Sequence, residues 1–208
     1  MTLRVSLVLV LAVVVFAGCT PLRTRTVENP VLAQAYQLRL EQLRALDHWA
    51  LDGRLAISDG KEGGSGNLSW LNDERITRMS FRGALGKGAW QLQTEAVGAR
   101  LELANGDVHY ASSVAELVLK EVGWKVPVEA LTWWIKGLAQ PDDWETRALD
   151  ENGRLKKLRQ FGWDVDFASY GESDGYWLPT RLSARRGEYS VKIAVRQWRL
   201  GEESATFE

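Results

Sequence analysis

The sequence has very few of the residues that catalysis and metal binding use most. Of its 208 residues one is a cysteine, Cys19, and two are histidines, His48 and His109. A lone cysteine excludes an internal disulfide, a cysteine-based metal cluster and a redox pair. Neither histidine lies in a metal-ligand spacing, and the sequence contains no Gly-x-Ser-x-Gly elbow. We therefore expect no metal, no other cofactor and no enzymatic activity.

The chain also lacks a charge imbalance and, after its amino-terminal segment, a long apolar run. Lys and Arg total 26 against 27 Asp and Glu, which gives a net charge of -1. This balance offers no electrostatic basis for binding nucleic acid. No later stretch is long and apolar enough to cross a bilayer. Without the amino-terminal segment about 190 residues remain, enough for one domain with a sizeable core.

The first nineteen residues have the three parts of a bacterial lipoprotein signal. Arg4 supplies positive charge, Val5–Phe16 form a short apolar run, and the small residues Ala17 and Gly18 precede Cys19. Such a short run predicts a cleaved signal peptide, because a spanning helix needs roughly 20 apolar residues. The cysteine after two small residues predicts a lipidated amino terminus. The alternative is an ordinary secretory signal with a chance cysteine.

The residue that follows the predicted lipidation site indicates a destination. It is Thr20, and the absence of Asp at this position predicts, by the sorting rule of Gram-negative bacteria, the periplasmic face of the outer membrane. Two or more acyl chains give a stable anchor. We expect a signal peptide at 1–18, a lipidated tether at 19–30, a single domain at 31–200 and a loose tail at 201–208.

Apolar periodicity predicts three helices and many short strands. Residues 31–46 have a stripe at helical spacing, and further helices are expected from Ser113 to Gly123 and from Pro127 to Gly137. From Trp49 the period changes to two, with a glycine-rich turn expected at 60–66. The predicted strands are 49–57, 67–71, 76–82, 89–94, 100–103, 108–110, 144–149, 155–160, 163–170, 177–184 and 189–198.

This order of elements predicts the fold class. A single antiparallel sheet of so many strands must curl or close on itself. Its inner face would be apolar and too wide for its own side chains to fill, and the two central helices would cover it. The expected fold is α+β: a strongly curved antiparallel β-sheet, an incomplete barrel, with a helical lid over a hydrophobic cavity.

One loop contains a large apolar residue among glycines. Residues 83–88 lie between two predicted strands, and Leu85 is the only large apolar side chain in that loop. One interpretation is a hairpin whose leucine folds back onto the sheet edge. The other is a leucine that projects into solvent, where it would contact a membrane or a partner, because exposed apolar groups usually mark a contact surface.

These features together resemble the LolB family of outer-membrane lipoprotein receptors. The resemblance is carried by the lipobox at Cys19, the segment 49–57, the glycine-flanked Leu85, the segment 126–138 with Pro141 after it, and the Leu178–Pro179 step. It covers most of the chain that follows the signal peptide. The sequence departs from the family pattern at Ala84, where a proline precedes the loop leucine in the family.

The resemblance implies a function in lipoprotein transport. A member of this family accepts lipoproteins from the periplasmic carrier LolA, holds their acyl chains in an apolar cavity and inserts them into the outer membrane, without a nucleotide or a metal. The family's membrane-insertion leucine falls on Leu85. A monomer is expected, with the LolA-type carrier, lipid-modified lipoproteins and the outer membrane as partners.

The residues expected to line the acyl-chain cavity come from the lid and the sheet. In the lid they are Leu131, Trp134 and Ile135; in the sheet they are Leu55, Trp70, Met79, Phe81, Trp90 and Leu92. For each of them ordinary core packing is the alternative, and Arg54 either pairs with the lid or lies on the surface. Two other functions stay open: an outer-membrane lipoprotein that binds a different hydrophobic ligand, and a structural subunit of an assembly.

Overall fold

The computed structural model describes residues 29–73, 76–83, 88–95, 97–123, 125–141 and 146–201. The predictions for the signal peptide, Cys19, Leu85 and residues 202–208 of the tail lie outside these ranges. The helices are α1 (Pro30–Arg44), α2 (Val114–Val122) and α3 (Val128–Trp134). The strands are β1 (His48–Ser58), β2 (Gly63–Asp73), β3 (Ile76–Gly83), β4 (Trp90–Thr94), β5 (Ala99–Leu103), β6 (Val108–Ala111), β7 (Thr146–Leu149), β8 (Leu155–Gln160), β9 (Trp163–Ser173), β10 (Tyr176–Arg186) and β11 (Tyr189–Leu200).

All the described strands belong to one antiparallel sheet. Its order is β6-β5-β4-β3-β2-β1-β11-β10-β9-β8-β7, so that β1 and β11 lie side by side at the centre and β6 and β7 form the two edges. Because the edges do not pair with each other within the described residues, the sheet is an incomplete barrel. The predicted fold class is thereby confirmed.

Alternating residues decide which face of the sheet is buried. In β1 the side chains of Leu51, Leu55 and Ile57 are buried, whereas Arg54 between them is exposed. This is the period of two that antiparallel strands with one covered face require. Arg54 therefore lies on the face opposite the lid, as its surface alternative predicts.

The first hairpin differs from its prediction. Strand β2 begins at Gly63, inside the segment expected to be a turn, and Gly63 and Gly64 pair with Ser58 and Ile57. The ladder joins backbone groups and needs no side chain, so glycines can continue a strand that propensity alone would end. The actual turn is short, and Asp59 Oδ1 accepts hydrogen bonds from the backbone N–H groups of Lys61 and Glu62.

The helix ends follow from capping chemistry. Ser113 Oγ accepts a hydrogen bond from the Glu116 N–H at the start of α2, and Gly123, with φ of 75°, ends that helix in the left-handed conformation. Both ends are those predicted. Helix α1 ends at Arg44, two residues before the predicted end. No helix within the described ranges is long and apolar enough to span a bilayer.

Candidate functional site

A small apolar cavity of about 30 Å³ lies between one half of the sheet and the lid. Strands β1 to β4 and β11 form its floor, and α2, α3 and the segment before α3 form its roof. All of its lining residues are apolar, namely Leu55, Ile57, Leu68, Trp70, Met79, Trp90, Leu92, Val118, Val126, Val128, Leu131 and Ile193.

The structure brings six of the nine predicted cavity residues together around this space. They are Leu55, Trp70, Met79, Trp90, Leu92 and Leu131. The sheet residues share it because they occupy neighbouring register positions: Trp70 pairs with Met79 and Met79 pairs with Leu92. The lid contributes Leu131 through α3.

Trp134 and Ile135 do not line this small cavity, and their place in an acyl-chain site stays a prediction. Both are fully buried, but Trp134 packs against Trp163 with ring centroids 6.4 Å apart, and its Nε1 donates to Gln160 Oε1 at 2.9 Å. A helix rises 1.5 Å per residue, so Trp134 lies about 9 Å along the axis from Val128. One apolar stripe therefore faces two different parts of the sheet.

Phe81 lies at the rim of the barrel and does not line this small cavity, so its place in an acyl-chain site also stays a prediction. It is two residues further along β3 than Met79, near the strand end at Gly83, and its ring stacks on Trp90 with centroids 5.6 Å apart. Beyond this pair is an open depression of about 770 Å³. We refer to this depression as the mouth. It is lined by Phe81, Trp90, Leu103, the glycines and alanines around them, and the polar residues Asp59, Glu62, Ser65, Asn105 and Glu121.

Both ends of the Leu85 loop are at the mouth. Gly83 and Gly88, which flank the loop, line the depression together with Phe81 and Trp90. Leu85 itself lies outside the described residues. Its flanking glycines nevertheless place both ends of the loop beside Trp90. Within the described part of the chain, Trp90 is the only residue that lines both the mouth and the cavity.

Six lining residues were absent from the prediction. They are Ile57, Leu68, Val118, Val126, Val128 and Ile193. All of them except Val126, which lies between two predicted helices, fall within predicted elements, so the signal was present for those five. The prediction omitted these residues because periodicity shows which face of a helix or strand is buried, but not which residues of another element that face contacts.

The carboxyl-terminal end of α3 is fixed by buried polar contacts. Lys136, only 6% exposed, donates from Nζ to the carbonyl oxygens of Leu43 and Leu46 at the end of α1, at 2.9 and 3.4 Å. Burial lowers the pKa of the Lys136 ammonium, and the nearby charge of Asp47 partly opposes this shift. The Ala139 N–H donates to the Tyr36 hydroxyl at 3.0 Å.

A second anchor of the same segment is Gln160. Its side chain is fully buried, and its Oε1 accepts from Trp134 Nε1 and from the Gln140 N–H, while its Nε2 donates to the Gln140 carbonyl at 2.7 Å. The Gln160 side chain and the Trp134 indole are buried and the Gln140 backbone is partly buried, so these hydrogen bonds are expensive to break. The end of α3 is therefore held firmly against α1 and β8.

Helix α2 is attached more weakly. It buries Leu117 and Val118 against the sheet, and Glu121 lies 3.2 Å from His109 of β6. This pair is a polar side-chain contact that joins α2 to a strand. Its outer face carries Leu119, which is 46% exposed. The two lid helices thus differ in how tightly they are held.

The charged groups of the described residues form no cluster of three or more His, Cys, Asp or Glu side chains that could hold a metal ion. The acidic pair of strand β9, Asp164 and Asp166, is paired on the surface with Arg159 and Lys157. What this site offers a ligand is therefore apolar surface, covered by helices that differ in the polar contacts that hold them.

A curved antiparallel sheet that is not closed into a barrel, with an apolar cavity under helices, defines the class of open half-barrel folds with a helical cover. The structure is similar to a domain from Vibrio parahaemolyticus described as an outer membrane lipoprotein-sorting protein, with a TM-score of 0.51 and 13% identity over 86% of this chain and 93% of that one. It is also similar to a DUF1329 family protein from Desulfovibrio piger, with a TM-score of 0.54 and 10% identity over 82% and 93% of the two chains.

Sequence comparison resolves the family within this class. A family model described as Outer membrane lipoprotein LolB matches residues 47–198. An outer-membrane lipoprotein LolB of Pseudomonas fluorescens is 35% identical over 89% of this chain and 91% of its own length. A LolB of Pseudomonas aeruginosa is 34% identical over 90% and 92% of the two chains. The chain belongs to the LolB family of outer-membrane lipoproteins, and the resemblance found in the sequence is confirmed.

Proposed function

We propose that this protein accepts lipoproteins from a LolA-type periplasmic carrier, buries their acyl chains between the sheet and the lid, and inserts them into the outer membrane. The observation that carries this proposal is the small, wholly apolar cavity under α2 and α3. Acyl chains offer no hydrogen-bonding groups along their length, so an apolar lining suits them. A lipoprotein needs such protection, because hydrated acyl chains are unfavourable in the aqueous periplasm.

The cavity has to expand before it can hold an acyl chain. Its volume is about 30 Å³, whereas ligand pockets usually measure about 300–1,000 Å³. The end of α3 is fixed by Lys136 and Gln160, whereas α2 is held mainly by Leu117 and Val118. We infer that α2 moves away from the sheet while α3 stays in place, so that the cavity and the mouth become one space.

The mouth is the proposed route for the cargo. Trp90 lines both the cavity and the mouth, and Gly83 and Gly88 place the ends of the Leu85 loop beside it. In this proposal Leu85 enters the bilayer at the point where the acyl chains leave the protein. The lipid on Cys19 holds the receptor at the periplasmic face, and no nucleotide, metal or covalent step is needed.

A transfer assay tests the proposal. The protein without its lipid anchor is mixed with a LolA-type carrier that has been loaded with a lipid-modified lipoprotein, and the location of the cargo is followed without ATP. We expect cargo to move to this protein. If cargo stays on a competent carrier, the receptor function is wrong, and lipid extracted from the purified protein would identify another hydrophobic ligand.

Two neighbouring residues of α2 give a matched pair for this assay. Val118 lines the cavity and is 4% exposed, whereas Leu119 is 46% exposed on the outer face. Val118→Trp fills the cavity and should lower cargo uptake several-fold, while Leu119→Trp should leave it unchanged. Equal uptake by both variants would mean that the cargo binds elsewhere on the protein.

The Leu85 loop is tested separately from cargo binding. Leu85→Glu adds a charge that opposes entry into hydrocarbon, so delivery into liposomes should stop while uptake from the carrier continues. Normal delivery by this variant would show that the leucine does not take part in insertion.

A further inference from the structure

The outer face of the sheet, opposite the lid, carries an open depression whose charged side chains are all basic. Its volume is about 300 Å³, and its lining includes Arg54 of β1, Arg181 of β10 and Lys192 of β11. All three side chains are exposed, and small alanine and serine side chains lie between them. No Asp or Glu of the described residues lines this depression.

The register of the sheet brings these three cations together. Arg54 and Arg181 both pair with Ala194, from opposite sides of β11, so their backbones are two strand spacings, about 10 Å, apart. Lys192 precedes Ala194 by two residues and lies on the same face. Like charges at such distances repel each other, so the stability of the fold does not explain why three cations meet here.

Other cations of the outer face are neutralised, whereas these three are not. Lys157 lies 3.6 Å from Asp166, and Arg199 lies 2.5 Å from Asp52. Within the described part of the chain, no ion pair or side-chain hydrogen bond engages the three cations of the depression. The acidic residues of the mouth do not line this depression. Three uncompensated cations around small side chains leave room for an anion from outside the chain.

The cations extend to the loop that contains Leu85. Asn67 of β2 pairs with Arg54 on one side and with Arg82 of β3 on the other, and Arg82 directly precedes Gly83, where the loop begins. Arg82 is exposed. These positions span five neighbouring strands, β3 to β10 through β2, β1 and β11, a width of about 19 Å. We define the basic row as Arg54, Arg82, Arg181 and Lys192.

The basic row lies at the mouth end of the barrel. Ser65 lines both the depression and the mouth, and in the proposed function the mouth faces the bilayer when Leu85 enters it. Lys192 is three residues from the start of β11 at this end, about 10 Å, a distance that its long side chain and the depth of the headgroup layer span together. The anions of that layer are lipid phosphates, which guanidinium and ammonium groups bind well.

We propose that the basic row binds the phosphate groups of anionic phospholipids and thereby holds the mouth against the outer membrane. This rests on the proposed function and deepens it, because it assigns the surface that orients the receptor before Leu85 enters the bilayer. An acyl anchor alone attaches a protein to a membrane but does not determine which face of the domain meets it. Clusters of Lys and Arg beside an anionic membrane surface supply that orientation.

Quenching of a label beside the basic row measures this docking. The full lipidated chain carries Ser65→Cys with a thiol-reactive fluorophore; Cys19 is the only native cysteine, and its lipid leaves the introduced thiol as the only reactive one. The chain is reconstituted in phosphatidylcholine nanodiscs with or without phosphatidylglycerol, each with headgroup spin-labelled lipid as quencher. Quenching should rise with phosphatidylglycerol and fall as salt is added, because salt screens exposed charges.

Two double variants separate the basic row from net charge. Arg54→Gln with Arg181→Gln should lower the ratio of docked to undocked protein about 25-fold, since each cation beside an anionic surface contributes about fivefold. Lys157→Gln with Arg159→Gln removes the same charge from the same face, but both side chains are paired with Asp residues of β9, so the ratio should change little. An equal fall in both double variants, or no fall in the first, overturns the proposal.

The unsubstituted row gives a test that does not depend on the folding of a double variant. Quenching that is the same with and without phosphatidylglycerol overturns the proposal. Cargo uptake from the carrier, measured on each protein, reports the receptor function separately. If the Arg54 and Arg181 substitutions abolish uptake and leave docking unchanged, the row binds an acidic protein surface and the lipid assignment is wrong. Normal uptake with equal docking in all proteins removes only this inference, whereas no uptake in any protein removes the receptor function.

Discussion

Replacement of Gly53 by alanine should destabilise the protein at the centre of its sheet. Gly53 lies in β1 where the register with β11 shifts by a bulge. A Cβ at this position would lie 2.4 Å from the carbonyl oxygen of Ala194 and 3.1 Å from the Cα of Val195. Both are backbone atoms of the neighbouring strand, so neither can rotate away, and the strands have to separate by roughly 1 Å to restore ordinary contact.

The size of the effect follows from three contributions. A backbone shift of this kind costs about 1–3 kcal/mol, and weakening one or two ladder hydrogen bonds adds about 1 kcal/mol each. The substitution also stabilises the folded state by about 0.5–1 kcal/mol, because glycine loses more conformational freedom on folding than alanine does. We expect Gly53→Ala to lower the free energy of unfolding by about 2–3 kcal/mol, measured by urea unfolding with tryptophan fluorescence as the signal.

Gly64→Ala provides the comparison within the adjoining strand β2. A Cβ at Gly64 would have no atom within 4 Å, so this variant should be neutral or more stable by about 0.4–1 kcal/mol. If the two variants unfold within about 0.5 kcal/mol of each other, the close approach of β1 and β11 does not constrain residue 53 and the reasoning fails.

Three further predictions concern the lid. The pKa of Lys136 is lowered in the folded state. Between that lowered pKa and the ordinary value, folded Lys136 binds fewer protons than it does in the unfolded chain, so the free energy of unfolding rises with pH. Lys136→Met should remove this rise when urea unfolding is compared at about pH 8 and about pH 10. Gln160→Ala leaves the Trp134 N–H and both Gln140 groups without partners and should cost about 3–5 kcal/mol in thermal or urea unfolding, whereas the exposed Gln91→Ala should change stability by less than about 0.5 kcal/mol. Ser113→Ala removes the α2 cap and should cost about 1 kcal/mol, seen as faster amide hydrogen exchange in α2. Ser112→Ala removes only an exposed hydrogen bond to the Glu116 side chain and should change that exchange less.

The sequence predicts the elements well because local rules determine them. The cap at Ser113 and the left-handed end at Gly123 are local chemistry, and both are where they were expected. The alternation of Leu51, Leu55 and Ile57 with exposed Arg54 likewise follows from strand geometry. Such features need no knowledge of the rest of the fold.

What the sequence does not reveal is which buried residues face each other. Leu131 and Trp134 lie on one stripe of α3, yet one lines the cavity and the other packs against Trp163. Gly53 stands in an inward position of β1 where alternation would favour a large apolar residue, and only the approach of β11 explains why it is glycine. The division of the α3 stripe and the glycine at position 53 both depend on contacts between segments far apart in the chain, and periodicity contains no information about such contacts.

The small closed cavity has a consequence for the direction of transfer. Burial of a methylene group is worth about 0.8 kcal/mol, and a receptor that has to move α2 to make room uses part of that free energy for opening. A fluid bilayer takes up the same chain without separating packed helices. If the cargo is acyl chains, the cost of opening therefore makes the receptor bind them less tightly than the membrane does, and release into the outer membrane is downhill without an energy source. Variants that hold α2 open should then bind cargo more tightly and deliver it more slowly.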